Sequence, residues 1–429
     1  MSGRLRRWRE RLLSLRHVAV LMAGTGIAQG IAILAAPVTS RLYDPSAFGL
    51  LGTLSTIASF VLVVASLRFE TAIVLEAEEE WARHIFTLCL VLLGATLLLA
   101  AAGSAAAVLL GAGGPGVVDT LPLLAPWVAL YGLQKIIEPW LVRRRALRPV
   151  AAGQVVRSAA TLAAQVAAAL AGFGWPGLIL GVVVGQGLGV ATTLAMGRAE
   201  LREAFAHRPS RSQLRQAAGR HRQFLMYAAP QGLVSAFAYG LPILLLQSHY
   251  GAVAAGFFHL TNRILTIPVT VISDSVRPVF TRRAAELVAD RPALYRHTMR
   301  TTALLALLVL PMVVVLAAGG PQVFAVVLGA KWQHAGEYAR WLSIMLAAHI
   351  VDVPAVAVVP LLGMQGRFLV FECVFTVVRL AVLYLGLVAA SDIAAIALFS
   401  VVIGLANAGL ILYVGSRLAA QSRKTGEGG

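Results

Sequence analysis

Long apolar runs separated by short polar clusters set the rhythm of this chain. They fall at about 18–40, 47–67, 85–110, 120–141, 150–171, 175–197, 223–247, 253–275, 301–318, 338–362, 368–389 and 393–415. Each holds roughly 20 residues or more, enough to cross about 30 Å of hydrocarbon as a helix. The alternating segments of about 10 residues that mark an outer-membrane barrel are absent. The pattern predicts an all-α, polytopic membrane protein of about twelve transmembrane helices.

The longest polar connection, 198–222, divides the runs into an N-terminal six-helix lobe (1–197) and a C-terminal one (223–415). Leu and Phe recur among its arginines, which predicts an amphipathic linker helix lying on the inner leaflet. From Ser416 the chain turns polar and ends in glycine, predicting a disordered tail over 416–429. The two lobes look related. Tyr43-Asp-Pro-Ser-Ala-Phe-Gly-Leu-Leu aligns with Tyr250-Gly-Ala-Val-Ala-Ala-Gly-Phe-Phe at a constant offset, pairing Tyr43 with Tyr250, Ala47 with Ala254 and Gly49 with Gly256. Parallel repeats of this kind build transporters whose substrate site is a central cavity between lobes.

Composition sharpens the picture. Of 429 residues, 59% are hydrophobic and 13% charged, where a soluble domain carries roughly a quarter charged. The net charge of +17 would suit nucleic acid, but its placement argues against that partner. Of 36 lysines and arginines, 30 lie on one face of the membrane and only Arg41 and Lys331 on the other. That asymmetry puts both termini in the cytoplasm of a bacterial inner membrane, with basic side chains meeting membrane lipid headgroups. The leading cluster Arg4, Arg6, Arg7, Trp8, Arg9 and Arg11 reads as the start of a retained helix, because no clear cleavage site follows. Cys89 and Cys373 sit inside predicted helices, and neither a disulfide framework nor metal-ligand spacing is present. No glycine loop for phosphate appears, so the chain is not expected to hydrolyse ATP or to carry a cofactor.

Four of the basic residues stay inside the runs: Arg157, Arg263, Arg340 and Arg379. A charge at a helix centre costs roughly 2.5–3.5 kcal/mol on insertion scales, so it faces a bundle interior or water. In span eight, His259, Asn262, Arg263, Thr266 and Thr270 fall on one stripe. Glu372, Thr376 and Arg379 share a face of span eleven, and Arg157, Thr161 and Gln165 share one of span five. Three such stripes suggest a wet, cationic cavity suited to phosphate, which guanidinium binds bidentately. Arg263, Arg379, Arg157 and Asn262 are the candidate substrate contacts. The bland alternatives are an Arg379–Glu372 pair and snorkelling of Arg157 to the interface; Arg340, near the outer interface, is expected to be an anchor. Asp352, Glu372, Glu70 and Asp274 are either coupling carboxylates for H+ or Na+ or ion-pair partners of those arginines. Trp127 and Tyr131 offer a stacking track for sugars, although aromatic packing explains such a face more often.

A family becomes recognisable at particular stretches. Arg41-Leu-Tyr-Asp-Pro-Ser-Ala-Phe-Gly-Leu, Ser66-Leu-Arg-Phe-Glu-Thr-Ala-Ile-Val-Leu, Ala255-Gly-Phe-Phe-His-Leu-Thr-Asn-Arg-Ile-Leu-Thr-Ile-Pro and Leu328-Gly-Ala-Lys-Trp-Gln-His-Ala-Gly-Glu-Tyr-Ala-Arg-Trp-Leu occur in order. Together they resemble the Wzx-type polysaccharide and O-antigen flippases of the multidrug/oligosaccharidyl-lipid/polysaccharide exporter superfamily. The loop Glu76-Ala-Glu-Glu-Glu departs from it by lacking a proline after Leu75. The resemblance implies two six-helix lobes and transport, by alternating access, of polyprenyl-diphosphate-linked oligosaccharide for O-antigen, capsule or exopolysaccharide. A polysaccharide polymerase or chain-length regulator is an open partner. Rival readings are a drug/cation antiporter of the same superfamily, whose cavity should be acidic, and a membrane glycan polymerase or ligase. That enzyme would need catalytic residues on a large outward loop, and the outward loops here are short.

Overall fold

The computed structural model describes the backbone of residues 2–111, 116–206, 208–389 and 391–426, with side chains from residue 20 to 421 except Ala389. The leading arginines and Trp8, together with Arg423 and Lys424, lie outside the side chains described. Every described element is helical, with no strand among the described residues. In order they are α1 (Ser2–Leu42), α2 (Pro45–Ser66), α3 (Glu70–Leu75), α4 (Glu79–Leu109), α5 (Val117–Thr120), α6 (Leu124–Arg143), α7 (Leu147–Leu170) and α8 (Trp175–Met196). There follow α9 (Arg198–Ala206), α10 (Arg211–Arg220), α11 (Ala229–Glu286), α12 (Arg291–Leu328), α13 (Gln333–Val351), α14 (Val353–Val358), α15 (Gln365–Ala389) and α16 (Asp392–Gly426).

Among the described residues, ten helical segments are long and apolar enough to cross a membrane. One of them, Phe224–Glu286, runs 63 residues because two helices join almost without a gap. The join is Gly251, at φ 78° and ψ −174°, a left-handed conformation that only glycine adopts without strain. Its counterpart in the first repeat is Asp44, which separates α1 from α2 with an extended backbone and hands over to Pro45 at the first turn of α2. The two breaks occupy matched positions, so the short internal repeat marks one structural feature made twice.

By contacts the chain forms two compact units, Met1–Leu244 and Leu245–Gly429. The start of α11 belongs with the first unit, where Phe237 stacks on Phe60 at 4.4 Å and Gly240 lets the backbone approach Thr56 and Phe60. The seam between α7 and α8 is also built on glycine. Gly177, Gly181, Gly185 and Gly189 recur every fourth residue on α8 and meet Ala168, Gln165, Thr161 and Arg157 of α7 in reverse order. A side chain at any of the four would collide with α7. Small residues at this spacing let membrane helices close to backbone distance.

The linker and the tail differ from expectation. Residues 198–222 hold two helices rather than one, because Pro209 stops the first and Ser210 starts the second with a capping box to Gln213. They pack on protein: Leu201, Ala204 and Ala217 are buried, Phe205 meets Phe86 edge-on at 5.3 Å, and the Trp140 indole donates to the Glu200 carbonyl at 2.9 Å. The apolar face assigned to lipid therefore covers the ends of α4 and α6. The last helix runs on to Gly426, so the stretch read as a disordered tail continues α16 for ten residues or so.

Candidate functional site

In the second unit, Arg263 stands exposed on α11 with Asn262 half-buried beside it. One face of that turn is fixed by Thr261, fully buried, whose hydroxyl donates to the Ala335 carbonyl of α13 at 3.2 Å. Arg379 lies half-buried on α15. Its Nη2 donates to the Thr376 hydroxyl at 3.0 Å, while Nε is buried without a hydrogen-bond partner. Among the described residues no carboxylate comes within 4 Å of it, so the alternative of an Arg379–Glu372 pair is not realised. Glu372 and Asp274 are exposed.

Asp352 occupies the break between α13 and α14, where Pro354 follows at the start of the shorter helix. It is 8% exposed, and no hydrogen bond or ion pair to its side chain exists among the described residues. Arg277 and Glu372 act on it electrostatically, and both Arg379 and Glu372 act on His349 one turn earlier. His349 Nδ1 lies 3.1 Å from the Met345 carbonyl and 3.4 Å from the Asn407 amide. Helices α11, α13, α15 and α16 thus gather Arg277, Asp352, His349, Asn407, Glu372 and Arg379 into one electrostatic neighbourhood. The sequence reading singled out Asp352, Glu372 and Arg379 but not their association across helices or the part of Arg277 and Asn407.

In the first unit, Arg157 projects from the α7 face that meets the glycine row of α8, and it has no hydrogen-bond or ion-pair partner among the described residues. Its stripe partners serve the seam: Gln165 is buried, donating to the Leu178 carbonyl at 3.0 Å, and Thr161 packs on Gly185. Polarity on span five therefore reflects helix packing as much as a wet wall. Trp127 is 6% exposed and stacks on Tyr131 with ring centres 5.4 Å apart. Glu70, 4% exposed on α3, has Lys135 Nζ 3.6 Å away and no hydrogen bond to either oxygen. Near it, Gln134 donates to Glu138 at 2.6 Å.

Two polar clusters escaped the sequence reading. At the arginine-rich end of the first unit, buried Glu76 accepts from Arg220 and lies 2.8 Å from His221, while Arg220 also reaches Glu78 at 2.8 Å and stacks over Trp81. Burial would raise the Glu76 carboxyl, but the Glu78 N–H, His221 and Arg220 together hold it below the ordinary carboxylate value. Arg143 caps the Ile73 and Glu76 carbonyls, and Arg144 joins Glu79 to Glu203. Acidic residues 76–80 facing arginines at 143–145 were a visible signal for this network. In the second unit, Asp392 accepts from Tyr338 at 2.7 Å and lies 2.8 Å from His334. Those residues stand 54 and 58 positions apart, and nothing local in the sequence links them. Arg340 pairs with Glu337 at 2.9 Å.

Comparison with known proteins places this geometry. A family described as "Polysaccharide biosynthesis protein" matches residues 38–337, more than half of the chain. The succinoglycan biosynthesis transport protein ExoT of Rhizobium meliloti (strain 1021) is 23% identical over 314 residues, covering 71% of this chain and 60% of that protein. The chain thus spans about three fifths of that relative's length. An inward-facing multidrug resistance MATE family transporter of the MOP superfamily has the same fold, with TM-score 0.70, 15% identity and coverage of 96% of this chain and 99% of that one. The lipid II flippase MurJ, in an inward closed conformation, superposes with TM-score 0.68 at 10% identity over 94% and 90%.

Proposed function

Because the chain belongs to the polysaccharide biosynthesis protein family, we propose that it is a transporter that flips polyprenyl-diphosphate-linked oligosaccharide from the cytoplasmic to the periplasmic leaflet by alternating access. The observation that carries the substrate class is Arg379. It lies on a spanning helix, half-buried, with one guanidinium nitrogen unpartnered and no carboxylate beside it. A cation kept in hydrocarbon without an acid is poised for an anion that arrives and leaves. Arg157 shares that condition, and exposed Arg263 adds a third guanidinium. Crossing unaided, the diphosphate and sugar hydroxyls would lose their water at a nominal cost of tens of kcal/mol. Guanidinium groups replace that water bidentately. A drug or cation antiporter would need acids in these places.

Asp352, buried without a partner, is the coupling carboxylate in this reading, with H+ or Na+ as the ion; Glu372, Glu70 and Asp274 are secondary. Twelve spans result when α11 is counted as two about Gly251 and α7 is included, since its 24 residues reach about 36 Å although its polar face lowers its hydropathy. Both termini are cytoplasmic and the membrane is the bacterial inner membrane, from the 30-to-2 lysine and arginine split. The test is complementation of a deletion strain. Arg379→Ala and Arg263→Ala should abolish glycan export at unchanged protein level, with lipid-linked oligosaccharide accumulating on the inner leaflet; undiminished export by both variants would refute the assignment.

A further inference from the structure

Helices α15 and α16 pack side by side in the second unit, and both are spanning segments. On α15, Arg367, Val370, Val374 and Val377 recur at helical spacing and are all exposed. One face of that helix is therefore apolar for about three turns and ends in a guanidinium. On α16 the exposed face runs through Leu405, Gly409 and Leu412, then turns polar at Tyr413 and Arg417. Packing fixes that orientation: Leu410, Val414 and Leu418, on the other side of α16, are buried in a core with Phe280 and Leu294.

The two guanidiniums meet at the phenol. Arg367 Nη1 donates to the Tyr413 hydroxyl at 3.5 Å, and the Arg417 guanidinium lies over the Tyr413 ring, 5.3 Å from its centre. Neither arginine has a carboxylate within 4 Å among the described residues. Arg282 and Arg283, by contrast, both pair with Glu286. A phenol oxygen is an uncharged acceptor, so two like charges are gathered around a group that offsets neither. An anion seated between them would turn repulsion into attraction. The surroundings say which anion. A compact soluble one would use the guanidiniums and leave both apolar faces idle. Those faces are stable against hydrocarbon rather than water. One turn inward from Tyr413, a Cβ on Gly409 would meet nothing within 4 Å, so the surface below the ring is open.

We propose that Arg367, Tyr413 and Arg417 form a binding site for the phosphate of an anionic phospholipid, whose acyl chains lie along the exposed faces of α15 and α16. Guanidinium binds phosphate oxygens bidentately, and arginines at the end of a spanning helix stand where anionic headgroups lie. The headgroup bridges the start of α15 to the end of α16, and so braces the helix that carries Arg379. This lipid is a partner of the fold and is not itself carried, so the inference holds whatever the transported substrate.

The test is native mass spectrometry of the full chain in detergent, with phosphatidylglycerol, phosphatidylcholine, inorganic phosphate and farnesyl phosphate as probes. Wild type should bind its first phosphatidylglycerol at least about tenfold more tightly than phosphatidylcholine. The double variant Arg367→Gln/Arg417→Gln should erase that preference, and its exposed positions leave the fold intact. Arg367→Lys/Arg417→Lys keeps the charge but not the planar fork, and should lose most of the preference. A full preference in the lysine variant would show net charge alone at work and overturn the site. So would an undiminished preference in the glutamine variant, no preference in wild type, or an equal loss in the control Arg282→Gln. Displacement of phosphatidylglycerol by inorganic phosphate would reveal a compact-anion site, and equally effective displacement by farnesyl phosphate would give the arginines to an isoprenoid substrate. Either result overturns the phospholipid.

Discussion

The Tyr43 hydroxyl donates to the Gln165 carbonyl at 2.7 Å, and this bond recurs in the second repeat as Tyr250 to Leu387 at 3.0 Å. In each case a tyrosine at the end of one helix, directly before the break to the next, ties that break to a helix more than a hundred residues on. The matched tyrosines found in the sequence are thus matched in what they hold.

Removing either hydroxyl takes one side-chain hydrogen bond from a helix carbonyl, at a buried contact in the first unit and a part-buried one in the second. Tyr43→Phe and Tyr250→Phe should each lower stability by about 0.5–1.5 kcal/mol. Because they act in separate units, the double variant should show the sum. Thermal unfolding in detergent checks both points; a double variant no less stable than either single one would contradict independent anchors.

The seam between α7 and α8 depends on the absence of side chains. Gly185→Ala places a methyl group against the Thr161 backbone, while Gly94→Ala meets nothing within 4 Å. Overpacking of this kind costs typically about 1–3 kcal/mol. Gly185→Ala should lower the unfolding temperature and Gly94→Ala should not, with equal effects counting against the seam.

The Glu76 network fixes the linker through an ionised acid. Since its folded pKa is depressed below the ordinary 4.5, its contribution is complete above that value and is lost as pH falls through the lower folded value. Protease protection of residues 198–222 should therefore be flat at neutral pH and collapse below about pH 4.5. In Glu76→Gln the linker should be cleaved at neutral pH as well. Protection that persists in the variant would assign the docking of α9 and α10 to Trp140, Phe86 and Phe205 alone.

Two substitutions separate coupling from pairing in the second unit. Asp352→Asn should leave some export but remove its dependence on an ion gradient; a retained dependence would exclude Asp352. Glu372→Gln should leave abundance unchanged and lower export far less than Arg379→Ala, because Arg379 bonds to Thr376 rather than to that acid. A strong loss that a second change at Arg379 rescues would restore the ion pair.

Hydrophobic runs of membrane length, the lysine and arginine asymmetry and the repeated tyrosine were legible in the residues alone. They depend on a chain's encounter with lipid, which acts on each segment locally: a run long enough to span is a helix whatever its neighbours. The spacing of Gly177, Gly181, Gly185 and Gly189 was equally visible, but its partner face was not. That the polar stripe of Arg157, Thr161 and Gln165 lies against those glycines was decided by packing of α7 on α8.

Which charges meet is likewise a tertiary matter. Helical periodicity sets Glu372 and Arg379 on one face, yet rotamer choice turns the guanidinium to Thr376. The linker's apolar residues find Phe86 and Trp140 rather than lipid, because arginines 143, 144 and 220 dock onto Glu76, Glu78, Glu79 and Glu203. The sequence determined that the chain folds as membrane helices in two related halves with arginines inside them. Only the tertiary structure decided which of those arginines are left without an acid, since ion pairs join residues that no local pattern connects.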